Sequence, residues 1–72
     1  MMTCPRCDGQ GSVLKVEILE TKETLFVCDE CEATWFEADN ITATNWVDFG
    51  TVLEQRGLKP EWSEVRIIGE AA

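Results

Sequence analysis

Residues 4–31 read CPRCDGQGSVLKVEILETKETLFVCDEC, and this stretch decides the fold. It opens and closes on a Cys-x-x-Cys unit, Cys4 with Cys7 and Cys28 with Cys31. A two-residue gap lets the backbone turn as a tight knuckle. Both sulfurs of a pair can then reach one metal ion at about 2.3 Å, with turn amides aimed at the thiolates. Gly9 and Gly11 supply permissive backbone just past the first knuckle. The twenty residues between the pairs fit one hairpin out and back, which returns the second knuckle beside the first. Four thiolates complete a tetrahedron, and the spacing lies in the range of zinc sites. The expected ligands are therefore Cys4, Cys7, Cys28 and Cys31, holding one structural zinc ion per chain. A mononuclear iron site has the same tetrathiolate geometry, so sequence does not separate iron from zinc. Two disulfides in any of three pairings, or a thioredoxin-like redox motif, are the other readings of the same cysteines.

Working outward, Ser12 to Glu20 alternates, with Leu14, Val16 and Ile18 on one face and Lys15 and Glu17 on the other. That is the pattern of a half-buried strand. Thr21-Lys22-Glu23 suits a hairpin turn, Thr24 to Cys28 reads as the returning strand, and Ala33 to Glu37, β-branched and aromatic, as a third. Asp39 to Asn45 is a polar connection. Thr44 or Asn45 can cap a helix over about Trp46 to Arg56, and Asn45 with Asp48 makes an imperfect capping box. Trp46, Phe49 and Leu53, at i, i+3 and i+7, would hold that helix against the sheet. Gly50 inside it costs about 1 kcal/mol against alanine. Its end is marked by Gly57 in a left-handed cap, Leu58 packing back and Pro60 forbidding continuation. Trp62 to Ile68 alternates again, with Val65 and Ile67 on one side, and reads as a last strand. The expected fold is a small α+β domain: an antiparallel sheet of three to four strands with one helix packed on it. It forms one domain over residues 1–72, with residues 1–37 as the metal-holding hairpins and 38–72 as the helix and C-terminal strand.

The chain has 72 residues. A core of that size supplies no more than about 3–5 kcal/mol by itself, so a staple is expected, and the cysteines are the available one. No segment approaches the roughly 20 apolar residues of a membrane span. Met1-Met2-Thr3-Cys4-Pro5-Arg6 has no apolar run behind it, so no secretory signal is read. The expected compartment is the reducing cytoplasm, where paired cysteines hold metal more often than they form disulfides.

Fourteen acidic residues stand against six basic ones, for a net charge of −8. Four thiolates and one divalent zinc would take that to −10, four charges lost and two gained. Such a surface repels nucleic acid and acidic membranes and attracts basic partners. Lys15, Lys22, Lys59, Arg6, Arg56 and Arg66 are scattered and form no basic stripe. There is no histidine, and four cysteines would leave the metal no open position, so no enzyme is expected. The acidic run around the second knuckle offers a contact surface: Asp29, Glu30, Glu32, Glu37 and Asp39, with Trp35 and Phe36 as aromatic anchors.

Cys4-Pro5-x-Cys7-x-Gly9 followed by Val27-Cys28-x-x-Cys31 resembles the zinc ribbon family. There, two knuckles at the ends of β-hairpins clamp a structural zinc. The likeness covers the chain through Phe36 and is specific for metal, not for function. Cys4 to Gly11 is also similar to the Cys-x-x-Cys-x-Gly-x-Gly unit of the DnaJ-type chaperone zinc region. The second pair, continuing Glu32-Ala33-Thr34-Trp35, departs from that unit. In size, charge and build the chain resembles small acidic bacterial immunity proteins. That resemblance implies a protein-binding module that inhibits a basic nuclease toxin. The ribbon resemblance implies an alternative, a docking subunit or regulator of a transcription or translation complex, and more remotely a nucleic-acid-binding ribbon.

Overall fold

The computed structural model describes residues 2–71. Two strands carry the architecture: β2 (Ser12–Ile18) and β3 (Thr24–Cys28), paired antiparallel with Val13 opposite Cys28 and Val16 opposite Leu25. The reversal between them uses Lys22 at φ +65°. Its amide donates to the Ile18 carbonyl, and the Ile18 amide donates to that of Glu23, both at 2.8 Å. β4 (Ala33–Trp35) pairs with β3, placing Trp35 beside Phe26.

The sheet has six strands rather than the three or four expected. The additions are β1 (Met2–Thr3), on β2, and β5 (Val47–Asp48), on β4. Each is two residues long, too short for alternation to register. The last strand, β6 (Val65–Glu70), pairs with β2 along the same edge as β1, with Ile18 opposite Val65. It starts later than expected, because Trp62–Glu64 form a 3-10 turn. Its register shifts where Ile68 is left as an extra residue, a bulge. Ile67, expected on one side with Val65, is 60% exposed while Val65 is buried. An edge strand has a neighbour on one side only, so alternation there does not guarantee cover.

Successive strand residues point to opposite faces, and the interior divides accordingly. Val16, Ile18, Leu25 and Val27 pack with Phe49, Val52 and Leu53 of helix α1 (Phe49–Gln55), and with Val65. Trp62 closes this side, its ring centroid 4.7 Å from that of Phe49. The other face gathers Val13, Phe26, Ala33 and Trp35 around Cys4 and Cys28. Truncation of Phe49 to alanine removes the ring that joins sheet, helix and Trp62. Denaturant unfolding of Phe49→Ala should show a loss of about 3–5 kcal/mol.

The helix begins three residues after its expected start. Asp48, not Asn45, is the cap, accepting from the Thr51 amide at 3.0 Å. Asn45 serves its own turn, accepting from Thr42 and donating to the Asn40 carbonyl at 2.8 Å. Trp46 therefore lies outside the helix and packs on the cysteine face. The third helix residue in that core is Val52 rather than Trp46. Gly50 has a packing reason, since a Cβ there would stand 3.1 Å from Pro60 Cβ. The C-terminus ends in a Schellman motif. Gly57 at φ +76° donates to the Glu54 carbonyl, and the Leu58 amide reaches that of Leu53, both at 3.0 Å. Arg56 crosses from this end to the hairpin turn and grips Glu23 at 2.6 and 2.8 Å. That pairing holds the Glu23 carboxyl below its ordinary range.

Candidate metal centre

The first knuckle follows β1. The Cys4 amide donates to the Gly11 carbonyl and the Gly9 amide to that of Cys4, both at 2.9 Å, while the Gln10 amide reaches Cys7 at 3.2 Å. The second knuckle follows β3, with the Glu32 amide donating to the Cys28 carbonyl at 3.2 Å. In each, the residue after the second cysteine takes the left-handed conformation: Asp8 at φ +59° and Glu32 at φ +61°. Neither is glycine; aspartate enters this conformation more readily than most residues, whereas Glu32 is held in it by its surroundings.

The knuckles are tied together directly. The Ser12 amide donates to the Asp29 carboxylate at 3.0 Å, and the Asp29 amide to the Ser12 carbonyl at 3.1 Å. Gly11 lies in this seam. A Cβ on it would stand 2.6 Å from Cys28 Sγ, 2.8 Å from Glu30 Cβ and 2.9 Å from Asp29 Oδ1. The role of Gly11 is therefore space, whereas Gly9, at φ +83°, supplies the backbone freedom. Gly11→Ala should cost roughly 1–3 kcal/mol by overpacking. It should also weaken metal retention although no ligand changes, as a chelator competition would show.

All four cysteine sulfurs lie within 4.8 Å of one another. Two pairs that run between knuckles, Cys4 to Cys31 and Cys7 to Cys28, each lie at 3.7 Å. A tetrahedral ion with sulfur at about 2.3 Å requires sulfurs roughly 3.8 Å apart. A disulfide requires about 2.05 Å, and all four cysteines are free. The residues thus fit a metal ion held by four thiolates.

Local donors already favour thiolate. Cys28 Sγ accepts from the amides of Glu30 and Cys31, both at 3.4 Å. Burial nevertheless pushes the Cys28 thiol up to about 12 against those amides. Burial likewise raises Cys4, against the amides of Cys7 and Arg6. At Cys31 burial also acts upward, but hydrogen bonds from the Ala33 amide, Arg6 and neighbouring cysteines outweigh it and bring the thiol down to about 7. Without metal, the deepest sulfurs are therefore protonated at neutral pH.

The residues expected to meet a partner are divided by the fold. Asp29, Glu30, Glu37 and Asp39 are exposed. Glu32 is half-buried and accepts from Trp62 Nε1 at 2.9 Å, while its carbonyl accepts from the Phe49 amide at 3.0 Å. Its engagement is internal, joining the second knuckle to the helix side. Trp35 is 1% exposed, with its indole donating to the Thr42 carbonyl at 3.0 Å, so it is part of the core. Phe36 beside it is 48% exposed and borders a cleft of about 250 Å3 with Glu37, Asn40 and Asn45.

Two neighbours of the site, Arg6 and Trp46, were not foreseen. Arg6 lies between the first two ligands, and its guanidinium carbon sits 3.9 Å over the Trp46 ring. No local pattern announces a contact across forty residues. Among the described residues no helix is long and apolar enough to cross a membrane. No family model, curated protein or solved structure matches this chain.

Proposed function

We propose that Cys4, Cys7, Cys28 and Cys31 hold one structural zinc ion, and that the domain so held binds a basic protein partner. The zinc reading rests on the 3.7 Å sulfur spacing between knuckles, close to the edge of a tetrathiolate tetrahedron. The ion would crosslink the starts of β2 and β4 and supply no reaction chemistry. Elemental analysis of the purified chain should return one zinc per chain; iron would give a coloured protein and replace zinc in this reading.

The partner reading draws on the charge of −8 and on Asp29, Glu30, Glu37 and Asp39, all exposed. Carboxylates fixed on a rigid turn steer basic partners and pair with their arginines. In its most specific form the chain is an immunity-type inhibitor of a basic nuclease toxin. Titration calorimetry against the product of a neighbouring toxin gene should then give a tight one-to-one complex, with loss of nuclease activity. Absence of such a gene, or of binding to its product at low salt, ends that form. Co-purification with a transcription or translation assembly would replace it with the docking role.

A further inference from the structure

We propose that Arg6, braced on Trp46, is a positioning residue for the metal, offsetting the excess negative charge of the four thiolates and locking one knuckle onto the other. The inference rests on the zinc reading. Four thiolates around a divalent ion leave a formal charge of −2, held where Cys4 and Cys28 are buried and the chain already carries −8. Backbone amides offset part of that charge at Cys28.

Arg6 belongs to the first knuckle, yet its Nη1 donates to the Cys31 carbonyl of the second at 3.3 Å. Among the described residues it is the basic side chain bonded to a cysteine; Arg56 and Arg66 are engaged with Glu23 and Glu17. Trp46, half-buried against the cysteine cluster, gives the guanidinium a face to rest on. A planar fork braced this way loses less freedom for each bond it makes.

Groups supporting metal ligands in this manner are worth 10- to 100-fold in affinity. Arg6 is exposed and open to salt screening, so the lower end applies. The test is zinc competition on the full chain with a chromophoric chelator, for wild type, Arg6→Met and Arg6→Lys. Methionine keeps an unbranched stem for Trp46 but removes charge and donor. Arg6→Met should bind zinc roughly 10-fold more weakly. Lysine should recover part of the loss, and the gap to wild type should narrow as salt rises.

The cobalt-loaded spectrum should stay that of four thiolates in all three, because no ligand changes. A wild-type chain that takes up no zinc overturns the underlying reading. Zinc uptake with Arg6→Met within twofold of wild type, or a gap independent of salt, overturns this inference alone. Because the side chain is exposed, both variants should fold with zinc in excess; if Arg6→Met does not, Arg6→Lys and its salt dependence still decide.

Discussion

A strong chelator should unfold this protein, and added zinc should refold it. The fold has two apolar faces, but the one around Val13, Phe26 and Trp35 is closed by Cys4 and Cys28 themselves. Removing the ion from that face leaves sulfurs crowded at 3.7 Å, with the two knuckles joined by the Asp29–Ser12 pair and the Arg6 contact. Structural zinc in small domains contributes on the order of 10–16 kcal/mol. A core of this size supplies about 3–5 kcal/mol. The first quantity exceeds the second, so loss of metal should be global. Circular dichroism should lose the sheet signal with chelator and regain it with zinc in excess. Serine at any one ligand should give a chain that stays poorly folded with zinc present. A chelated chain that keeps its sheet and melts cooperatively would show that the staple is dispensable.

The four-cysteine cluster, β2, β3 and the end of α1 were legible because each carries a dense local signal. Two Cys-x-x-Cys units twenty residues apart predict one cluster, β2 carries Leu14, Val16 and Ile18 at every second position, and Gly57-Leu58 with Pro60 states a Schellman end within four residues. What escaped was set by competition at a distance. Asn45 and Asp48 are both good caps, and nothing local says that Thr42 engages the first and frees the second. Trp46 fits the helical spacing of Phe49 and Leu53, yet its indole goes to Arg6, forty residues earlier. Gly11 looked like a flexible turn residue, and only the packed second knuckle reveals that space is what it provides. Glu32 counted among the surface acids by composition, while its contact with Trp62 spans thirty residues. The four-cysteine cluster was thus readable as chemistry, and the way the second half of the chain docks on it was not.

Metal affinity should fall steeply in acid, and the slope counts the thiols involved. Bound sulfurs carry no proton, so every thiol protonated in the metal-free chain must release one on binding. Cys28, pushed up to about 12 by burial, and Cys4, raised by the same cause, are fully protonated at pH 7 in the metal-free fold. Those two alone make log affinity fall by at least about two per pH unit below pH 7. Cys31, brought down to about 7, takes up its proton over the same range and steepens the fall. If the metal-free chain is unfolded, all four thiols titrate near their ordinary value of about 8.5 and the slope approaches four. The sign is the same in both cases. A bound metal keeps all four sulfurs deprotonated in the fold, so the stability they contribute is complete above about pH 8.5 and is lost as pH falls. Between pH 7 and pH 5 the loss should be at least about 10,000-fold, or about 5.5 kcal/mol. Competition with a chelator whose own titration is known should return a slope between two and four. A slope below two would mean that the ion is not held by four protonatable sulfurs, and the tetrathiolate assignment would fail on chemistry even with the sulfur spacing intact.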